Sequence, residues 1–361
     1  MNRASAIAVC LGTALLGSSV AGAHHSVVAN FDTGREIEIR GTVVDFNYVS
    51  PHANMVIDGI GYENGEPIGE GVERWEIESS AVKGLASRGI TADTFEPGDE
   101  ILVRGAPHRD PKLRRANSST FLNPDGSQLA RAGPARAGRA EAPDAEGARR
   151  VAGRWTPPFQ PAGDRSALPL NEAGEAAWAA YDQIESPANT CEPMSIPVVM
   201  NAPSYYVDIR FGDGEVVVRN EAYDVRRRVP LGDEHAPADP AGQWGSVRGR
   251  IEGGALVIES KDYPPSRWGL GAATQINGGG GDVPSSAQKT VVERFSTSED
   301  GLSLYYDYVL FDPAYMSREH TARVTLRRVA DDATMVPYDC DPASARQFSR
   351  PAGESVLSPD E

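Results

Sequence analysis

Alternation of apolar and polar residues organises this chain. Residues 36–48 (EIEIRGTVVDFNY) set Ile37, Ile39 and Val43 two or four places apart, the period of a half-buried strand. Gly41 within the run marks a bulge or bend. Shorter strand patterns follow at 54–58 (NMVID) and 74–78 (RWEIE). Residues 79–88 (SSAVKGLASR) read as a short helix that opens on serine and stops at Gly89. After the Pro97-Gly98 turn come strands at 100–105 (EILVRG) and 118–122. Three strands, one helix and two strands is the order of an OB-type small barrel.

Farther along, 171–184 (NEAGEAAWAAYDQI) has a helical pattern with Asn171 as N-cap. From Ser204 onward strand patterns dominate, at 205–211, 215–221, 247–251, 255–260, 289–296, 302–310 and 321–329. Tight turns at Gly212-Asp213-Gly214 and Asp300-Gly301 imply antiparallel hairpins. Strands in such meander order can close into an up-and-down barrel and so remove exposed edges. The expected class is mainly β: an N-terminal OB-like small barrel with one helix, then a C-terminal antiparallel lipocalin-like β-barrel, with a β-sandwich as the alternative. The 37 glycines and 27 prolines favour turn-rich β structure over helix bundles.

A composition break separates the two patterns. The Ala/Gly/Pro/Arg-rich stretch from 131 to 168 has almost no large apolar residue to offset its ordering entropy, and reads as a flexible linker. The expected division is a leader at 1–23, an OB-like domain at 24–130, the linker at 131–168, the barrel at 169–348 and a disordered tail at 349–361. The leader reading rests on Arg3, the apolar run at 6–16 (AIAVCLGTALL), and Ala21-Gly22-Ala23 as a small-x-small cleavage signal. That run is too short to cross a hydrocarbon core of about 30 Å. No later stretch is apolar for long enough, so the trimmed chain is expected in the periplasm or secreted, without membrane insertion.

Charge narrows the partners. A formal net charge of −16 argues against nucleic acid and against an anionic membrane as partners, since both repel an acidic surface. Loss of the leader would remove Cys10 and leave Cys191 and Cys340, which in an oxidising compartment are a disulfide candidate; two buried free thiols are the alternative.

Several segments together resemble a bacterial exported family of unknown function. They are Ala23-His24-His25-Ser26, Phe31-Asp32, Gly41-Thr42-Val43, Pro51-His52-Ala53, Trp75-Glu76-Ile77-Glu78 and Pro97-Gly98-Asp99. The resemblance covers Ala23 to about Leu129. Relatives usually carry Asn-Pro-His where this chain has Ser50-Pro51-His52. The second half is similar to an uncharacterised partner domain often fused to that family. It is carried by Cys191-Glu192-Pro193, Gly249-Arg250-Ile251-Glu252-Gly253, Val292-Glu293-Arg294-Phe295, Asp312-Pro313 and Pro337-Tyr338-Asp339-Cys340. That domain commonly has Gly-Arg-Trp-Glu-Gly, so Ile251 stands in place of an aromatic residue. The resemblance brings no reaction with it.

Two places could carry chemistry. Cleavage after Ala23 would free an α-amine beside the imidazoles of His24 and His25. Amine and imidazole nitrogens suit Cu(II) or Ni(II), copper has the higher intrinsic affinity, and His52 could add a ligand. A frayed tail is the bland reading. Second, a barrel lumen bearing Glu221 and Glu293 with Arg226 or Arg250 would place a few fixed polar groups in an apolar cup, the usual build of a small-molecule site. An ion-pair network or a solvent-facing strand side would look the same in sequence. Tyr263, Trp268, Tyr305, Tyr306 and Tyr308 could line that cup or fill an ordinary core. No Gly-x-Ser-x-Gly, His-Glu-x-x-His or Cys-x-x-Cys is present, which leaves the common hydrolase, zinc-protease and thiol-redox readings unsupported. The expected function is binding of a small, partly apolar ligand in the C-terminal barrel. The alternatives are an isomerase, hydratase or cyclase using a buried Glu/Arg pair, and copper binding by the His-His terminus.

Overall fold

The computed structural model describes residues 30–129, 140–142, 144–157, 168–181, 190–202, 205–237, 244–272, 282–330 and 332–347. The expected leader, most of the expected linker, the tail and both His24 and His25 lie outside them.

The N-terminal part is the expected OB-like barrel. Strands β1 (Ile37–Asn47), β2 (Asn54–Glu63), β3 (Glu66–Glu78), β4 (Glu100–Pro107) and β5 (Arg115–Leu122) close in the order β1-β2-β3-β5-β4. A short helix, α1 (Val82–Ala86), follows β3. The strand alternation works as anticipated, with Ile37, Ile39 and Val43 inside beside Met55, Ile57, Trp75, Ile77, Val103 and Phe121. Each such buried side chain contributes roughly 1.5–3 kcal/mol. Gly41 proves to be a point of close approach and not a bulge. A Cβ there would strike the backbone of Asp58 and Gly59, while the register break in β1 falls between Val43 and Asp45.

The C-terminal part is a nearly closed barrel, not a sandwich. Its strands are β6 (Gly153–Thr156), β7 (Val207–Phe211), β8 (Glu215–Asn220), β9 (Val225–Pro230), β10 (Ser246–Glu252), β11 (Ala255–Lys261), β14 (Thr290–Thr297), β15 (Ser303–Phe311) and β16 (His320–Val329). They form one nine-stranded sheet, and every hydrogen-bonded pair within it is antiparallel. An odd number of strands cannot alternate direction all the way round a ring. The misfit falls at the seam between β9 and β10, where the contact is a parallel bridge, Leu231 to Gly249. The hairpin β12 (Ser266–Ala272) and β13 (Asp282–Ser285) stands apart as a small second sheet.

Four strands, β6, β9, β12 and β13, were invisible to the alternation pattern. β6 has only four residues and lies inside the stretch expected to be linker, so the chain joins the barrel before residue 168. Its place is fixed by Trp155, fully buried, whose indole donates to the Val151 carbonyl at 2.8 Å. β12 and β13 carry Gly, Ser and Pro in place of an apolar repeat.

The starts of β7, β9, β10, β14 and β16 and the finishes of β8, β11 and β15 gather at one end, called here the near end. There the barrel is covered by β12–β13, by a 3-10 turn at Val198–Asn201 and by α2 (Glu172–Ala179), whose N-cap Asn171 accepts from Gly174 N–H at 3.0 Å. The far end is stoppered by a 3-10 turn at Gly147–Val151, which buries Ala148 and Val151 against β11 and β14. The OB-like barrel docks at the near end. Lys83 of α1 reaches Glu221 at 2.9 Å, and both side chains are buried. A C-terminal strap, 333–344, lies across the two parts and ends in α3 (Pro342–Gln347). The disulfide expected from the two remaining cysteines is present, Cys191 to Cys340.

Candidate functional site

Glu293 occupies the middle of β14 and points inward, as its place between Val291 and Phe295 required. Its partner is Arg227, which donates Nη1 to Oε2 at 2.6 Å and Nη2 to Oε1 at 3.0 Å. Tyr306 adds its hydroxyl to Oε1 at 3.1 Å. Arg227 and Glu293 are 2% and 0% exposed, so the pair bridges the lumen out of contact with water. Phe295, Tyr306, Trp155 and Tyr263 fill the surrounding space. The described lumen is therefore packed with side chains, as interiors of small barrels commonly are.

The four residues expected to share that lumen do not meet. Glu221 stands just past the end of β8, where the chain turns away. It accepts from Lys83, from the Tyr206 amide at 2.8 Å and from the Val336 amide, joining the two barrels. Arg226 faces outward on β9, because it is Arg227 that shares a side with Val225 and Val229. Arg250 lies on the outside of β10 and pairs with Glu252 and Glu259. Of the aromatic residues, Tyr263, Trp268, Tyr306 and Tyr308 are buried. Tyr305 is on the outer side, 5.0 Å beneath the Arg323 guanidinium.

Lys289 was not singled out by the sequence. It is fully buried and donates to Ser195 Oγ at 2.6 Å and to the carbonyls of Ile196 and Gly269, each at 3.1 Å. Burial draws its ammonium down to about 7, against the pull of Asp312 and Glu293. A Ser–Lys pair of this kind can activate a hydroxyl. Here Ser195 and Lys289 are 1% and 0% exposed, so the pair ties the 195–196 segment to β12 and the start of β14.

His52 sits in the β1–β2 connection with its Nδ1 3.2 Å from the Ser79 carbonyl and 3.7 Å from a Glu78 carboxylate oxygen. A carbonyl only accepts, so Nδ1 carries the proton. Among the described residues no group of three or more His, Cys, Asp or Glu side chains is placed to hold a metal ion.

The near end brings together residues from four segments. Tyr205 precedes β7, Tyr223 lies in the β8–β9 turn, Trp268 is on β12 and Tyr338 is on the strap. Ring centroids are 5.4 Å apart for Tyr205–Tyr338, 4.5 Å for Tyr223–Tyr338 and 6.0 Å for Tyr223–Trp268. All three tyrosines are half-buried, and burial raises each phenol above its usual range. Tyr223 has a φ of 57°, in the left-handed region that costs a non-glycine residue of order 1–3 kcal/mol. Trp268 is 4% exposed, and its indole N–H has no partner among the described residues. Asp282 of β13 accepts from the Tyr181 hydroxyl at 3.1 Å, and burial lifts its carboxyl to about 6.

The Asp282 shift fixes a pH dependence. In the fold the carboxyl keeps its proton up to about 6, whereas an unfolded aspartate releases it near pH 3.9. Stability from this group is complete below the lower value and is lost as pH rises through the upper one. Asp282→Asn is expected to remove a loss on the order of 3 kcal/mol between about pH 4 and pH 7. Urea midpoints of both proteins across that range check it; parallel pH profiles would refute the assignment.

A family profile described as a family of unknown function (DUF6152) matches residues 13–116. The match takes in β1 to β4 and the start of β5, and the C-terminal barrel lies outside it. No curated protein matches the chain.

Proposed function

We propose that this is an exported, periplasmic binding protein whose C-terminal domain takes a small, partly apolar ligand at the near end of its barrel. The observation that carries this reading is the face formed by Tyr205, Tyr338 and Tyr223, three touching and half-buried rings beside Asp282. Such rings offer flat apolar area with polar tips. A single carboxyl at the edge supplies orientation, the usual division of labour in a small-molecule site. The filled lumen plays a supporting part, holding β9 against β14. The leader at 1–23 and the fusion of two uncharacterised domains belong to the same reading.

A second reading follows from Asp282. A carboxyl titrating at about 6 can give and take a proton near neutral pH, so acid–base turnover of the ligand at the same place is the enzymatic form of the proposal.

Tyr223→Gly tests the site without threatening the fold, because glycine adopts a φ of 57° freely. Native mass spectrometry of the protein purified from its own host should find a bound small molecule. The variant should retain it about tenfold more weakly, a loss of roughly 1.4 kcal/mol, at an unchanged or higher thermal midpoint. Equal retention by both proteins would place the ligand elsewhere, and absence of any bound molecule from the wild type would remove the ground for the reading.

A further inference from the structure

The outer side of β6–β9 carries a charge pattern at odds with the rest of the chain. Arg154, Arg210, Arg219, Arg226 and Arg228 face out together with Asp208, Asp224 and Glu215, on a protein whose net charge is −16. Five guanidiniums thus meet three carboxylates. Asp208 serves Arg210 and Arg154, Glu215 serves Arg228, and Asp224 serves Arg219. Arg226 has no ion-pair partner among the described residues. It stands directly opposite Arg219 in the β8–β9 register. Like charges at paired positions of neighbouring strands destabilise a sheet, and no fold requirement is met by this pair, since both side chains point to solvent. Asp224 engages Arg219 through Nε at 3.2 Å and Nη2 at 2.7 Å, which leaves the Nη1 group out of that ion pair. The two arginines border an open depression lined also by Asp208, Arg210, Val217 and Asp224.

We propose that this face binds a phosphate group between Arg219 and Arg226. Adjacent guanidinium forks can each give two N–H donors to a tetrahedral oxyanion, an arrangement a single ammonium cannot reproduce. The anion would cancel the repulsion between the two arginines. Asp208 and Asp224 at the rim favour a compact, strongly charged group over a diffuse one, because a weak anion gains too little from two arginines to overcome nearby carboxylates. The phosphate can be free or a lipid headgroup. The site shares the β8–β9 turn with the tyrosine face, since Asp224 follows Tyr223, but its two arginines lie on the outer side of the strands and are tested by variants of their own.

The test uses the mature full chain at low ionic strength, titrated by calorimetry with inorganic phosphate and, separately, assayed for flotation with phosphatidylglycerol and with neutral phosphatidylcholine vesicles. Saturable phosphate binding that weakens about tenfold in Arg226→Gln and again in Arg219→Gln, with partial recovery in Arg226→Lys, supports a free-phosphate site. Binding to phosphatidylglycerol vesicles alone, lost in the same variants, supports the headgroup source. In phosphate-free buffer Arg226→Gln should also raise the thermal midpoint, since it relieves like-charge repulsion. No binding in either arm, or binding equal in wild type and both glutamine variants, overturns the proposal.

Discussion

Replacing Glu293 by alanine is expected to destabilise the C-terminal barrel by about 3–5 kcal/mol, read as a fall in the urea midpoint at an unchanged slope. The size follows from what would be left behind. Arg227 is 2% exposed, and both of its Nη groups are spent on Glu293. Without the carboxylate its charge would sit beside Phe295 and Tyr306 with neither water nor counterion, and the Tyr306 hydroxyl would lose its acceptor. Glu293→Gln keeps the shape and some acceptor capacity, so it should lie between. Removing both charges, as Arg227→Met with Glu293→Leu, is expected to return most of the loss, because the desolvation of two ions is then avoided. The full cycle should give a coupling energy well above that of an exposed pair, about 0.2–1 kcal/mol. A single-variant loss below about 1 kcal/mol would contradict the buried, isolated geometry. The pair also has an architectural role. β9 and β10 are the two edges of the nine-stranded sheet, and Arg227 on β9 reaches across to Glu293, two strands in from the opposite edge. It clasps the barrel where the direction mismatch prevents an ordinary ladder.

The strands that could be read from sequence are those whose burial is one-sided and long enough to repeat. β14 and β15 alternate cleanly, and Val291 and Phe295, two residues to either side, put Glu293 inside. β9 failed on the same rule. Val-Arg-Arg-Arg-Val looks like a charged run, yet its period-two face is Val225, Arg227, Val229, and the middle arginine goes inside only because a carboxylate waits there. That partner is 66 residues away and invisible to a local window. Glu221 departs from its pattern for a related reason: the alternation of β8 ends at Asn220, and the turn that follows aims the Glu221 side chain at Lys83 in the other barrel. The tyrosine face assembles from four separated segments and needs a left-handed residue at Tyr223, which no propensity would assign to tyrosine. Long-range closure, more than local preference, decides these positions.

Loss of the Cys191–Cys340 bridge is the second large effect expected, and it should act on two levels. The cysteines are 149 residues apart, so the bridge closes a loop that holds most of the barrel. On the chain-entropy account a loop of that size contributes about 5 kcal/mol, as an upper value. The local consequence concerns the strap. Thr334 offers its carbonyl to Lys83 at 3.0 Å, Val336 gives its amide to Glu221, and Tyr338 completes the aromatic face. Asp339 and Asp341 bracket Ser50, with Ser50 N–H donating to the Asp339 carbonyl at 2.6 Å and Asp341 N–H to the Ser50 carbonyl at 3.0 Å. Ser344 then bonds the His52 carbonyl at 2.9 Å and Asn54 at 2.8 Å. These bonds hold one barrel to the other only while the strap stays in place, and the disulfide anchors its middle to the segment before β7. Cys191→Ser with Cys340→Ser should therefore lower the urea midpoint and speed amide exchange at 50–54 and 333–344, while amides within β1, β4 and β5 exchange at their former rates. Unchanged exchange at Ser50 in that variant would mean that the hydrogen bonds alone keep the strap seated, and that the two barrels do not depend on the bridge for their docking.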